Sequence, residues 1–110
     1  MNKLLNKIRY QFKRYIDVKD INEEQLKDLI KKENVLIDVR SPQEYNEGHL
    51  DGAICIPEYE IEREIKNQVE DKQKIIILYC DSGGRSKKAQ EKLEKLGYSN
   101  VYNLYKGISK

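Results

Sequence analysis

The sequence predicts an α/β fold: an open parallel β-sheet flanked by helices on both faces. Three observations lead there. The run Ile75-Ile76-Ile77-Leu78-Tyr79 is apolar throughout and rich in β-branched residues, which fits a strand buried on both faces of a parallel sheet. Helical spacings stand on either side of it, Ile61, Ile65 and Val69 before and Ala89, Leu93 and Leu96 after. Strand-like and helix-like segments alternate along the chain with short connections, the pattern of βα units.

Each element has its own signals. Tyr15 to Val18 read as a first short strand. Asn22 then caps a helix whose Glu23 and Glu24 suit its first turn and whose Leu26, Leu29 and Ile30 face inward. Val35 to Val39 form the next strand. Ser41-Pro42 open a short helix with proline at its first position, Gln43 to Tyr45 continue it, and Gly48 ends it. Ala53 to Ile56 read as another strand, and the Ile61–Val69 helix ends near the polar turn Asp71-Lys72-Gln73. After the central strand a helical pattern starts at Ser86, with Lys87, Lys88, Glu91, Lys92, Glu94 and Lys95 on its outer face and Gly97 as its stop. Val101 to Leu104 make the last strand. No repeat or low-complexity tract interrupts this order.

The 110 residues suit one small core, and 38% apolar with 36% charged content describes a hydrated surface around it. The longest apolar run falls far short of the roughly 18 residues a membrane span needs, and no signal-like apolar region is present. A cytoplasmic location is expected, with both cysteines as free thiols. The net charge of +2 hides an asymmetry: Lys3, Lys7, Arg9, Lys13 and Arg14 lie in residues 1–14 with no acid, leaving −3 on the remainder. Leu4, Leu5, Ile8, Phe12 and Tyr15 follow helical spacing, so residues 1–14 read as a basic amphipathic extension, a flanking helix packed on its own domain or weakly associated with a surface. Nucleic acid is not an expected partner, because no base-stacking pattern or reader motif joins the basic residues.

The strand Ile75–Tyr79 delivers Cys80 into Asp81-Ser82-Gly83-Gly84-Arg85-Ser86, just ahead of a helix N-terminus. The first amides of a helix lack internal partners and favour an anion in front of them, and a thiolate is such an anion. Gly83 and Gly84 allow positive φ, so the loop backbone can curl into a nest of amides. Arg85 can add a forked cationic donor to the same anion.

The pattern Cys-x-x-Gly-x-Arg, with four residues between Cys80 and Arg85, resembles the active-site loop of rhodanese-like sulfurtransferase domains. Related phosphatases and arsenate reductases of that fold have a loop one residue longer. The stretches Leu36-Ile37-Asp38-Val39-Arg40-Ser41-Pro42-Gln43-Glu44-Tyr45 and Gly48-His49-Leu50-Asp51-Gly52-Ala53-Ile54-Cys55-Ile56-Pro57 also look like the family's Asp-x-Arg and Gly-His, Gly-Ala, Ile-Pro segments. The resemblance implies a rhodanese-like domain over residues 15–110, with Cys80 as the nucleophile that carries a persulfide, Asp81 to Ser86 as its binding loop, and no cofactor or metal. It implies transfer of a sulfane sulfur from thiosulfate or a persulfide to a thiophilic acceptor. The donor is a small molecule or a persulfidated protein, and the acceptor can be a protein. A silent binding or regulatory module and a phosphatase or arsenate reductase-like enzyme are the alternatives.

Other residues invite chemistry less strongly. His49, the single histidine, lies in a turn that resembles a structural element of the family, and two cysteines with one histidine lack the paired spacing of zinc modules. Asp38 and Arg40 share one face of a strand end and are expected to support the loop. Cys55 reads as a small buried hydrophobe rather than a resolving thiol. Tyr79, Tyr98, Tyr102 and Tyr105 read as core and rim aromatics. Thiosulfate-specialised members of the family carry basic residues beside the cysteine, whereas this loop has Asp81 and Ser82, which points to a persulfide donor. The family's C-terminal helix with its tryptophan has no counterpart after Leu104-Tyr105-Lys106-Gly107-Ile108.

Overall fold

The structure, a computed structural model, describes residues 19–108. The basic extension and the strand expected at Tyr15–Val18 lie outside the described residues. Five strands, β1 (Asp20–Ile21), β2 (Val35–Asp38), β3 (Ile54–Cys55), β4 (Ile76–Tyr79) and β5 (Val101–Leu104), pair in parallel in the order β1-β5-β4-β2-β3. The helices are α1 (Glu23–Leu29), α2 (Pro42–Glu47), α3 (Ile61–Gln68, entered through a 3₁₀ turn at Glu58–Glu60) and α4 (Gly84–Lys95). This is the expected open parallel sheet.

Alternation along the central strand divides the core in two. Ile76 and Leu78 face one side with Ile61 and Ile65 of α3 and Ala89 and Leu93 of α4, whereas Ile77 and Tyr79 face the other with Leu26 of α1. All of β4 is fully buried, which explains why its sequence is apolar without a break. At roughly 1.5–3 kcal/mol per fully buried aliphatic side chain, Ile61 and Ile65 hold α3 firmly to the sheet. Helix α2 buries no residue and rests on its ends instead. Ser41 and Glu44 form a reciprocal capping box, Pro42 takes the first turn, and the Tyr45 hydroxyl donates to the Ala53 carbonyl at 2.6 Å.

Two expectations are corrected. Ile30 does not face inward: α1 ends at Leu29, and Ile30 is the cap residue beyond it, 39% exposed. Cys55 is only half-buried, because β3 has just two residues and lies at the sheet edge. A strand that hydropathy did not reveal forms at Asp20–Ile21. The buried Asp20 carboxylate there accepts from Lys87 Nζ at 3.0 and 3.1 Å and from Asn103 Nδ2 at 3.1 Å, which ties α4 and β5 to the edge. No helix among the described residues is long and apolar enough to cross a membrane.

Candidate active site

The position of Cys80 follows from strand parity. It continues the face of Ile76 and Leu78 past the end of β4 and so arrives beneath the N-terminus of α4, which packs with α3 on that side of the sheet. Gly83, at φ 95°, turns the chain there into the helix. A Cβ at Gly83 would stand 2.0 Å from the Tyr105 carbonyl oxygen, so both the backbone angle and the space require glycine. Gly84 does not use the freedom its type offers; it is the first helical residue of α4, with open space around its Cα.

The loop converges on sulfur. Cys80 Sγ accepts from the Gly83 amide at 3.1 Å and the Ser86 amide at 3.4 Å, with the Ser86 hydroxyl also at 3.4 Å. Ser86 Oγ donates to the Gly83 carbonyl at 3.1 Å, which leaves its lone pairs to accept from a protonated thiol. Loss of the thiol proton lets that hydroxyl swing its own proton to sulfur, so the same group serves both protonation states. Cys80 is 1% exposed and sits on the floor of the loop.

A belt of charge surrounds this floor. Asp38 and Arg40 form a buried pair, with Asp38 accepting from the Arg40 amide at 2.9 Å, Nε at 3.0 Å and Nη2 at 2.7 Å. Arg40 Nη2 also donates to the Gly48 carbonyl at 2.6 Å, and Nη1 stands 3.5 Å from Asp81. Arg85 directs its fork onto Glu44, with Nη1 to Oε1 at 2.7 Å and Nη2 to Oε2 at 3.0 Å. Asp81 lies 3.8 Å from its Nη2. Glu44 is held in turn by the Ser41 amide at 3.1 Å, and Arg85 keeps its carboxyl well below the usual carboxylate range.

The chain's last described residues brace the loop from behind. Ile108 donates its amide to the Cys80 carbonyl at 3.0 Å, and Gly107 passes so close that a Cβ there would lie 2.1 Å from the Asp81 carbonyl oxygen. On the other flank the buried Tyr79 hydroxyl accepts from the Leu50 amide at 2.9 Å. Among the described residues no cluster of three His, Cys, Asp or Glu side chains is placed to hold a metal ion.

With that geometry in hand, the sequence matches the rhodanese-like domain over residues 22–110. The chain belongs to the rhodanese family. Among curated relatives it is 42% identical over 67 residues to the thiosulfate sulfurtransferase PspE of Escherichia coli, covering 61% of this chain and 64% of that one. It is 35% identical over 100 residues to a tRNA uridine(34) hydroxylase of Buchnera aphidicola, covering 87% of this chain but 31% of that protein. This rhodanese domain therefore spans less than two thirds of either relative's length. A solved structure of a rhodanese with anions from E. coli superposes with a TM-score of 0.63 at 39% identity, over 66% of this chain and 85% of that one. A Staphylococcus saprophyticus protein superposes with a TM-score of 0.71 at 29% identity, over 83% and 90%.

Within this rhodanese domain the residues singled out by sequence gather in part. Cys80, Gly83 and Ser86 meet at sulfur, Asp81 stands between the two guanidiniums, and Ser82 is exposed. Asp38 and Arg40 pair with each other, and Arg40 reaches the loop through Asp81. His49 stacks on Tyr45 with ring centroids 3.7 Å apart and its Nδ1 lies 2.8 Å from the Tyr45 carbonyl oxygen. Cys55 Sγ points to the Arg40 carbonyl at 3.8 Å, and burial pushes its thiol pKa up. Sequence reasoning placed Glu44 in a helix and in a family-like structural stretch, and missed it at the site. It missed Gly107 as well, although a glycine after the last strand was the available signal.

Proposed function

We propose that this chain is a sulfurtransferase that moves a sulfane sulfur from a donor to a thiophilic acceptor through a persulfide on Cys80. The observation that carries the reading is the convergence of the Gly83 and Ser86 amides and the Ser86 hydroxyl on Cys80 Sγ, inside a loop with four residues between Cys80 and Arg85. In the first step the Cys80 thiolate attacks the outer sulfur of the donor. The donor's sulfur–sulfur bond breaks, and its electron pair leaves with sulfite or with the donor's thiolate. In the second step an acceptor nucleophile takes the outer sulfur and the Cys80 thiolate departs. Family membership and similarity to a protein named as a thiosulfate sulfurtransferase support this chemistry.

The donor we favour is a persulfide rather than thiosulfate. Asp38, Glu44 and Asp81 outnumber Arg40 and Arg85 around the loop, so a dianion meets a surplus of negative charge before the thiolate is counted. Asp81→Arg is expected to lower the thiosulfate KM at low salt, and an unchanged KM would count against the electrostatic argument. The transfer itself is tested by thiocyanate formation with cyanide as acceptor: turnover by the native chain and none by Cys80→Ser is expected. Phosphate release from an aryl phosphate by the native chain, with no thiocyanate formed from any sulfur donor, would replace this reading with a phosphatase.

A further inference from the structure

Resting on the sulfurtransferase reading, we propose that Glu44 is a specificity-determining residue: it occupies the fork of Arg85, withholds that guanidinium from doubly charged oxyanion donors, and reserves Cys80 for singly charged persulfides. Arg85 is the loop's own cation and follows Cys80 on the helix whose amides face the sulfur. A planar guanidinium with both terminal nitrogens free would bind a thiosulfate or sulfite oxyanion bidentately. In this structure the end-on edge of that fork is occupied by Glu44, each terminal nitrogen giving one N–H, at 2.7 and 3.0 Å. A dianion must displace a carboxylate to gain the fork, and it then leaves that carboxylate unpaired beside its own charge. A persulfide needs only the amides of Gly83 and Ser86 and the Ser86 hydroxyl, none of which Glu44 engages.

Two features separate this role from a structural one. As the third residue of α2, Glu44 accepts from the Ser41 amide and hydroxyl through Oε1, a task glutamine performs equally in capping boxes. The negative charge shared by Oε1 and Oε2, each hydrogen-bonded to Arg85, is what that task does not need. The pair is also open to solvent, with side chains 41% and 30% exposed, so it adds little to stability while remaining within reach of an arriving donor. Asp81, 3.8 Å from Arg85 Nη2, repeats the same sign of charge on the other side.

The test compares steady-state sulfur transfer to cyanide from thiosulfate and from cysteine persulfide in the native chain, Glu44→Gln and the double variant Glu44→Gln/Arg85→Ala. Glu44→Gln keeps the cap acceptor and removes the charge. We expect its thiosulfate KM to fall about tenfold or more, with kcat moved far less, and its preference for thiosulfate over cysteine persulfide to rise accordingly. The gain must vanish in the double variant, since Arg85 is what Glu44 releases. A thiosulfate KM unchanged in Glu44→Gln, with the melting curve intact and the native chain still turning over cysteine persulfide, overturns the gate and leaves the sulfurtransferase reading standing. No turnover by the native chain with either donor overturns the reading itself. Should Glu44→Gln fail to fold, the native protein supplies the same decision through potassium chloride: a thiosulfate KM that falls with salt fits a donor repelled by an occupied fork, and one that rises with salt means Arg85 is free to attract it and overturns the gate.

Discussion

Glu44 and Arg85, 41 positions apart in sequence, meet through two parallel hydrogen bonds of 2.7 and 3.0 Å. The pair links α2 to α4 across the mouth of the loop that holds Cys80. It has a pH signature. Arg85 depresses the folded-state pKa of Glu44, so the stability this group contributes is present above the unfolded value of about 4.3 and is lost only as pH falls through the lower folded value. Carboxyl NMR is expected to show Glu44 still ionised at pH 4, where ordinary glutamates are largely protonated.

Ser86→Ala removes the hydroxyl at Cys80 and leaves both amides. Loading of sulfur onto Cys80 should slow about tenfold, less than the 10² to 10³ lost with one donor to a full oxyanion, because sulfur is the weaker acceptor. Stopped-flow measurement with a small persulfide checks the rate, and an unchanged rate would deny the hydroxyl a role.

The glycines divide by backbone. Gly83→Ala and Gly107→Ala each place a Cβ within 2.1 Å of backbone oxygen at positive φ, at 95° and 67°, and should each lower stability by at least about 1–3 kcal/mol. Gly84→Ala enters open space in a helix and should hold or raise the melting temperature. Thermal melts of the three variants compare them directly.

Asp20→Ala strips the buried partner from Lys87 and Asn103. Lys87 keeps partial access to water, so the loss is expected to be about 1–3 kcal/mol rather than the 3–5 of a fully buried orphan charge. Urea denaturation reads it out, and a loss under about 0.5 kcal/mol would mean the network contributes nothing beyond surface pairing.

At alkaline pH the buried phenols decide stability. Burial raises the pKa of Tyr79 and Tyr98, so each contributes stability that is fully present below the unfolded value near 10 and is lost as pH rises through the folded value. Ultraviolet titration should show these two of the 8 tyrosines ionising late, together with unfolding above about pH 10.

The elements with local signals were legible in the sequence. The apolar run of β4, the capping residues Asn22 and Ser41, and the glycine turn ahead of α4 each announce structure through their neighbours. Cys80 was legible because strand, loop and helix follow one another there. What stayed hidden depends on distant partners. Asp20 reads as polar, yet it is buried in β1 because Lys87 of α4 pairs with its carboxylate and Asn103 of β5 donates to it. Arg85 reads as a ligand for the sulfur anion, but its direction is set by Glu44 on another helix, a contact that no local period reveals. Ile30 failed because periodicity carries on past a helix end, whereas burial does not.

Intact mass of the purified chain after incubation with cysteine persulfide, beside Cys80→Ser treated alike, tests the central claim most directly. The account predicts a gain of one sulfur, about 32 Da, on the native chain that cyanide removes and that the serine variant never acquires. An equal gain on Cys80→Ser, or none on the native chain with either persulfide or thiosulfate, would contradict it.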